Sequence, residues 1–208
     1  MLTLFLIILL IMKPLIASLN GNEICYDSLG CFPALDDPRF PLYPEAPDVV
    51  QTRFRLYNGS NPQGFREIHY KRGPDDIRVP VGAKLAVVVH GWIVHQDYSM
   101  YKRLRAALFT VYDLMVAVDW REGASRFYPQ SMANVALVGR EVALMIHQLS
   151  LCCKVSPQNV HIIGFSLGAH IAGNAGRWYK AKFQQKIHRI SGEKRFTPNK
   201  VRVLSRFW

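Results

Sequence analysis

Three apolar runs constrain the fold more than any other feature of the sequence. Leu85–Val89 and Leu114–Val118 carry no polar side chain, and Val160–Ile163 carries only His161. A strand with one wet face alternates apolar and polar residues; a run without alternation suits a parallel strand covered on both faces. Helical patterns lie between the runs, over Tyr98–Thr110 and over Ser131–Ser150. The second sets Val135, Val138, Val142, Met145 and Leu149 at spacings of three and four. Strand, helix, strand, helix, strand predicts an α/β fold, its sheet mostly parallel with helices on both faces. Upstream, Thr52–Tyr57 and Phe65–Tyr70 alternate, and Asn58–Gly64 between them reads as a turn, so this pair predicts a hairpin. Downstream, Gly164–Trp178 opens another helix and Lys186–Ser191 reads as one more short strand. Residues 32–48, rich in Pro and Asp, read as extended chain.

Composition narrows the function classes. Half of the 208 residues are apolar, which supplies a packed core. The net charge of +11 is uneven: the last sixteen residues hold five basic groups and one acid. The remaining excess is mild, and no nucleic-acid motif accompanies it. There is no Gly-rich phosphate loop and no CxxC pair, so a nucleotide enzyme and a zinc module are excluded. No cofactor and no metal are expected.

The N-terminus reads as an address. Leu4–Met12 is an unbroken apolar run, closed by Lys13 and Pro14, with small residues at Ala17 and Ser18. Nine residues fit a secretory h-region and fall short of the ~20 that span a bilayer. Residues 1–18 are therefore expected to be a signal peptide and the chain to be secreted. Two features agree. Cys25 and Cys31 flank a short loop that a disulfide closes in an oxidising compartment. Asn58-Gly59-Ser60 is an N-glycosylation sequon in a polar turn. Cys152 and Cys153 are adjacent and are expected not to pair with each other, one of them sitting on a helix face as a small hydrophobe.

The chemistry lies in Gly164-Phe165-Ser166-Leu167-Gly168, directly after one apolar run and directly before a helix. A serine hydroxyl is a poor nucleophile on an ordinary surface. A sharp strand-to-helix turn pushes its oxygen out of the sheet, and Gly164 and Gly168 keep side chains from colliding with neighbouring strand and helix. The helix N-terminus then offers backbone N–H groups to a developing oxyanion. The N–H of Leu167 is the expected first donor. The N–H of Trp92, in the His90-Gly91-Trp92 turn after Leu85–Val89, is the expected second.

Further segments extend the pattern: Cys25-Tyr-Asp-Ser-Leu-Gly-Cys31-Phe32, Thr52-Arg53-Phe54, Val118-Asp119-Trp120, Asn159 through His170, and Ala172-Gly173. From about Cys25 to Gly192 the chain resembles the pancreatic lipase family, secreted α/β-hydrolases that include triglyceride lipases and A1-type phospholipases. The resemblance implies hydrolysis of carboxylic esters of lipids at a lipid–water interface, by a Ser-Asp-His triad whose nucleophile is Ser166.

The pattern breaks after Gly192. The resemblance places the triad acid two residues later, where this chain has Lys194, and the triad histidine much further on, beyond Trp208. Glu193 is the one carboxylate after Ser166, a shifted acid with no histidine behind it to orient. His170, His188 and Asp119 read better as structural residues than as substitutes. The expected organisation is a signal peptide over 1–18, the N-terminal part of a lipase domain over 19–192, C-terminally truncated, and a divergent basic tail over 193–208. Truncation after Ser191 is expected to leave an exposed sheet edge, and the tail is expected to be a solvated end. Two functions compete: an ester hydrolase of lipid catabolism, weak or inactive in this chain, and an inactive secreted protein that binds lipid, anionic lipid or a heparin-like glycan.

Overall fold

The computed structural model describes residues 18–20, 22–35, 41–74, 77, 79–193 and 204–205. The apolar leader Leu4–Met12 and most of the tail lie outside the described residues. Ten strands are described: β1 (Ser18–Asn20), β2 (Glu23–Tyr26), β3 (Gly30–Pro33), β4 (Arg53–Asn58), β5 (Asn61–Ile68), β6 (Leu85–Val89), β7 (Leu114–Asp119), β8 (Val160–Phe165), β9 (Arg189–Glu193) and β10 (Leu204–Ser205). The helices are α1 (Pro47–Val50), α2 (Ser99–Leu108), α3 (Arg121–Ala124), α4 (Tyr128–Cys153) and α5 (Leu167–Phe183).

Seven strands form one sheet in the order β10-β9-β8-β6-β7-β4-β5. The four central strands β9, β8, β6 and β7 run parallel, with Val87 opposite both Val116 and Ile162. The β4–β5 hairpin joins antiparallel to β7, and β10 joins antiparallel to β9. The three apolar runs are thus adjacent strands, and both faces are covered. On one face Val87, Val116, Val118 and Ile162 pack under α4 and α5. On the other, Val88, Met115 and Ala117 pack with Tyr57 and Tyr101 under α2. Helix α4 is long and apolar enough to cross a membrane, yet it lies against this core. The architecture is of the α/β-hydrolase type.

Several boundaries differ from expectation. The turn between the hairpin strands is only Gly59-Ser60, and β5 begins at Asn61. Its polar first half lies on the sheet edge, where alternation has no second wet face to mark. Helix α5 starts three residues later than Gly164 and runs beyond Trp178 to Phe183, with Tyr179 fully buried. Two residues expected in a solvated tail, Leu204 and Ser205, pair with Gly192 and Ser191. They cover part of the edge that truncation was expected to expose.

Cys25 and Cys31 face each other across β2 and β3 and form a disulfide. Arg140 of α4 holds this hairpin: its Nη1 donates to the Leu29 carbonyl at 2.6 Å and its guanidinium covers the Phe32 ring at 3.8 Å. The expectation for Cys152 and Cys153 is corrected. They are paired as a vicinal disulfide at the last turn of α4. Cys153 is nonetheless buried, as expected of one of the two.

Candidate active site

Ser166 is the bend between β8 and α5. Its φ of 53° and ψ of −120° lie outside the regions that L residues ordinarily occupy, a conformation that costs about 1–3 kcal/mol and is held by its surroundings. The Ser166 N–H donates to the Glu193 carbonyl at 2.8 Å, and the Ser166 carbonyl accepts from the Ala169 N–H at 2.9 Å. A serine before a helix usually caps it with its hydroxyl. Here the hydroxyl makes no capping bond, and the residue is exposed.

The bend depends on close approach of backbones. A Cβ on Gly168 would lie 2.3 Å from the Val89 carbonyl oxygen, so α5 starts in contact with the end of β6. A Cβ on Gly91 would lie 2.8 Å from the Ser166 Cβ, so the turn after β6 rests on Ser166. Leu167, buried, is the first residue of α5, and its N–H has no intrahelical acceptor. Trp92 follows Gly91; its indole Nε1 donates to the Arg126 carbonyl at 2.9 Å, and its ring meets Tyr128 edge-on.

The motifs around His90 and Asp119 tie these strand ends together. The Trp120 N–H donates to His90 Nε2 at 3.0 Å, and the Trp120 indole donates to the His90 carbonyl at 2.9 Å. His90 Nδ1 in turn donates to the Gly91 carbonyl at 2.8 Å. Both ring nitrogens therefore have partners. Burial works against the charge on Asp119, but His90 and Arg121 beside it hold the carboxylate well below its usual range. Arg55 Nη2 lies 3.4 Å away on the other side. His90, Asp119, Trp120, Arg121 and Arg55 do not line the Ser166 pocket.

Ser166 opens into a pocket of about 270 Å³, lined also by Val94, Tyr98, Met100, Tyr101, Phe165 and Glu193, with Gly91 at its edge. Tyr101 and Phe165 meet edge-to-face at 5.9 Å, and burial pushes the Tyr101 hydroxyl far above its ordinary value. The surface of this wall is almost wholly apolar. Sequence reasoning singled out Ser166, Leu167 and Trp92 but missed this wall. Tyr98, Met100 and Tyr101 carry only a helical signal, and their convergence on Ser166 is tertiary. His170 is exposed on α5 and His188 precedes β9; neither lines the pocket. No cluster of three potential metal ligands occurs among the described residues.

A family model described as Lipase matches residues 22–199. The chain belongs to the lipase family. This lipase-family chain is 38% identical over 174 residues to pancreatic triacylglycerol lipase of Equus caballus, covering 78% of this chain and 37% of that protein. It is 34% identical over 193 residues to pancreatic lipase-related protein 2 of Rattus norvegicus, covering 88% and 40%. To human pancreatic triacylglycerol lipase it is 36% identical over 172 residues, covering 78% and 37%. It therefore spans about two-fifths of the length of these relatives.

Proposed function

We propose that this chain is a lipid ester hydrolase in which Ser166 attacks the acyl carbonyl and the N–H groups of Leu167 and Trp92 hold the oxyanion. The observation that carries the reading is the strained, uncapped serine at the mouth of an apolar pocket. Such a pocket suits an acyl chain and excludes water from it. Exposed Ile93, Tyr98 and Phe127 lie on the connections after β6 and β7 and exposed Tyr128 opens α4, at the same end of the sheet as Ser166. They give that end apolar surface with which to meet a lipid–water interface. Membership of the lipase family supports the same reaction class.

Secretion is the localisation that the apolar leader, the Cys25–Cys31 disulfide and the sequon support. Asn58 ends β4 in an exposed turn, its side-chain oxygen accepting from the Ser60 N–H at 3.0 Å, and we assign it as the glycosylated residue. Residues 19–192 are the catalytic unit and 193–208 an appendage to it.

The rate is expected to be low. In a serine protease, losing the triad histidine costs about 10⁶ in kcat, while the oxyanion hole and binding alone keep about 10³–10⁴ over water. No histidine among the described residues lines the Ser166 pocket. Incubation with a fluorophosphonate probe, followed by peptide mass mapping, tests the assignment. Slow labelling confined to Ser166 and abolished in Ser166→Ala is expected. Labelling elsewhere, or none, refutes it.

A further inference from the structure

We propose that Arg126, fastened by Glu45, is a positioning residue of this site: it holds the turn after β6 so that the Trp92 N–H meets the oxyanion. The inference rests on Ser166 being the nucleophile and Trp92 a donor. The turn is not a relaxed one. Ile93, next to Trp92, has a φ of 53°, a left-handed conformation that a β-branched side chain disfavours. Such a conformation persists only where the surroundings impose it.

The end of α3 and residues 125–127 impose it. The Ala124 carbonyl accepts from the Ile93 N–H at 3.2 Å. The Arg126 carbonyl accepts from the Trp92 indole Nε1 at 2.9 Å and from the hydroxyl of buried Ser131 at 3.2 Å. Tyr128 meets the Trp92 ring edge-on, its centroid 5.2 Å away. With its indole bonded on one side and packed on another, Trp92 keeps one ring orientation. The ring then fixes the Cα beside which the backbone N–H projects.

Arg126 is itself fixed through its side chain. Its Nε donates to both carboxylate oxygens of Glu45, at 3.1 and 3.0 Å. Asn134 of α4, fully buried, grips Glu45 twice: Asn134 Nδ2 donates to Oε2 at 2.9 Å, and the Glu45 N–H donates to Asn134 Oδ1 at 2.8 Å. Contacts therefore run without a gap from the core side of α4 through Glu45 and Arg126 to Trp92. The Arg126 and Glu45 side chains are 38% and 25% exposed, and an ion pair so placed contributes little to stability. Its contribution is geometric, because an oxyanion donor acts only when held where the charge develops.

The test follows the rate at which a fluorophosphonate labels Ser166 in the 208-residue chain, since the phosphonyl oxygen takes the place of the oxyanion. The variants are Glu45→Ala, Arg126→Ala, Trp92→Phe, the double variant of Glu45→Ala with Trp92→Phe, and Tyr26→Phe. Trp92→Phe keeps a ring and the backbone N–H but removes the bond to Arg126. Each of the first three is expected to lower the maximal labelling rate about 10- to 10²-fold, with the half-saturating probe concentration little changed. The double variant is expected to fall no further than the slower of its two single variants, because both act through one contact. Tyr26→Phe loses the 2.7 Å bond from its hydroxyl to the Pro44 carbonyl, beside Glu45. It is expected to lower the melting temperature and leave the labelling rate unchanged. Trp92→Phe decides the matter if either alanine variant does not fold. A parent-like rate in Trp92→Phe or Glu45→Ala, losses that multiply in the double variant, or an equal loss in Tyr26→Phe overturns the positioning role and leaves the nucleophile standing. No labelling of Ser166 in the parent overturns both.

Discussion

Glu141 illustrates how much one side chain can set. It sits on α4 with 1% of its surface exposed, and Oε2 has no hydrogen-bond partner. Burial pushes its carboxyl up to about 8, against smaller opposing effects of Thr52 and Lys71. Between the ordinary carboxyl range and about pH 8 the folded chain therefore keeps a proton that the unfolded chain releases. Stability falls as pH rises through that window, by about 3 kcal/mol at pH 7. Glu141→Gln removes the proton exchange. Urea unfolding is expected to show parent and variant converging near pH 5 and the variant gaining on the parent toward pH 8. A difference that does not change with pH contradicts this account. At this scale the sequence was partly legible. Ser166 could be read because its requirements, two glycines and a strand-to-helix change, are local. Glu193 could be placed in the chain but not in the pocket, because its neighbours there come from the turn after β6, from α2 and from β8.

The strand–bend–helix unit depends on two elements touching, and two glycines of α5 separate that effect from helix propensity. Gly168 faces the end of β6, where a Cβ would meet the Val89 carbonyl oxygen at 2.3 Å and the His90 carbonyl oxygen at 2.7 Å. Gly173 lies mid-helix with nothing within 4 Å of an added Cβ. Gly168→Ala must push α5 off the sheet, so a loss at or above the upper end of the ~1–3 kcal/mol range for overpacking is expected. Gly173→Ala meets no obstacle and is expected to gain up to about 1 kcal/mol from helix propensity. Thermal melts of the two variants should move in opposite directions; a matching shift would show that contact with β6 does not matter. The apolar strands and the two long helices were legible as elements because burial on both faces leaves an unmistakable pattern. The first half of β5 was not. Asn61–Gly64 are polar or small, and of them only Asn61 has a register partner, Asn58, with the register shifting before Phe65 opposite Tyr57.

The larger of the two sheets, with seven strands, has an order that follows from which strands can be covered. The three apolar runs occupy its middle, the β4–β5 hairpin closes one side, and β9 stands near the other. Among the described residues, the pairing of β9 with β10 joins Leu204 to Gly192 and Ser205 to Ser191, so most of the outer edge of β9 has no described strand partner. An unpaired edge is a template for another chain. Arg189, Lys186 and His188 place basic side chains along it or just before it, which discourages but does not prevent pairing between like edges. Deleting residues 194–208 strips β10 and leaves β9 open from Arg189 to Glu193. The shortened chain is then expected to self-associate, with antiparallel β9–β9 contact as the simplest closed arrangement. Sedimentation velocity over a concentration series tests this: the parent should stay at one sedimentation coefficient while the deletion variant moves to larger species, and added salt should promote the shift by screening the basic edge. Identical sedimentation of the two chains would mean that β10 does not guard the sheet, and that Arg189 with its neighbours keeps the edge unpaired unaided.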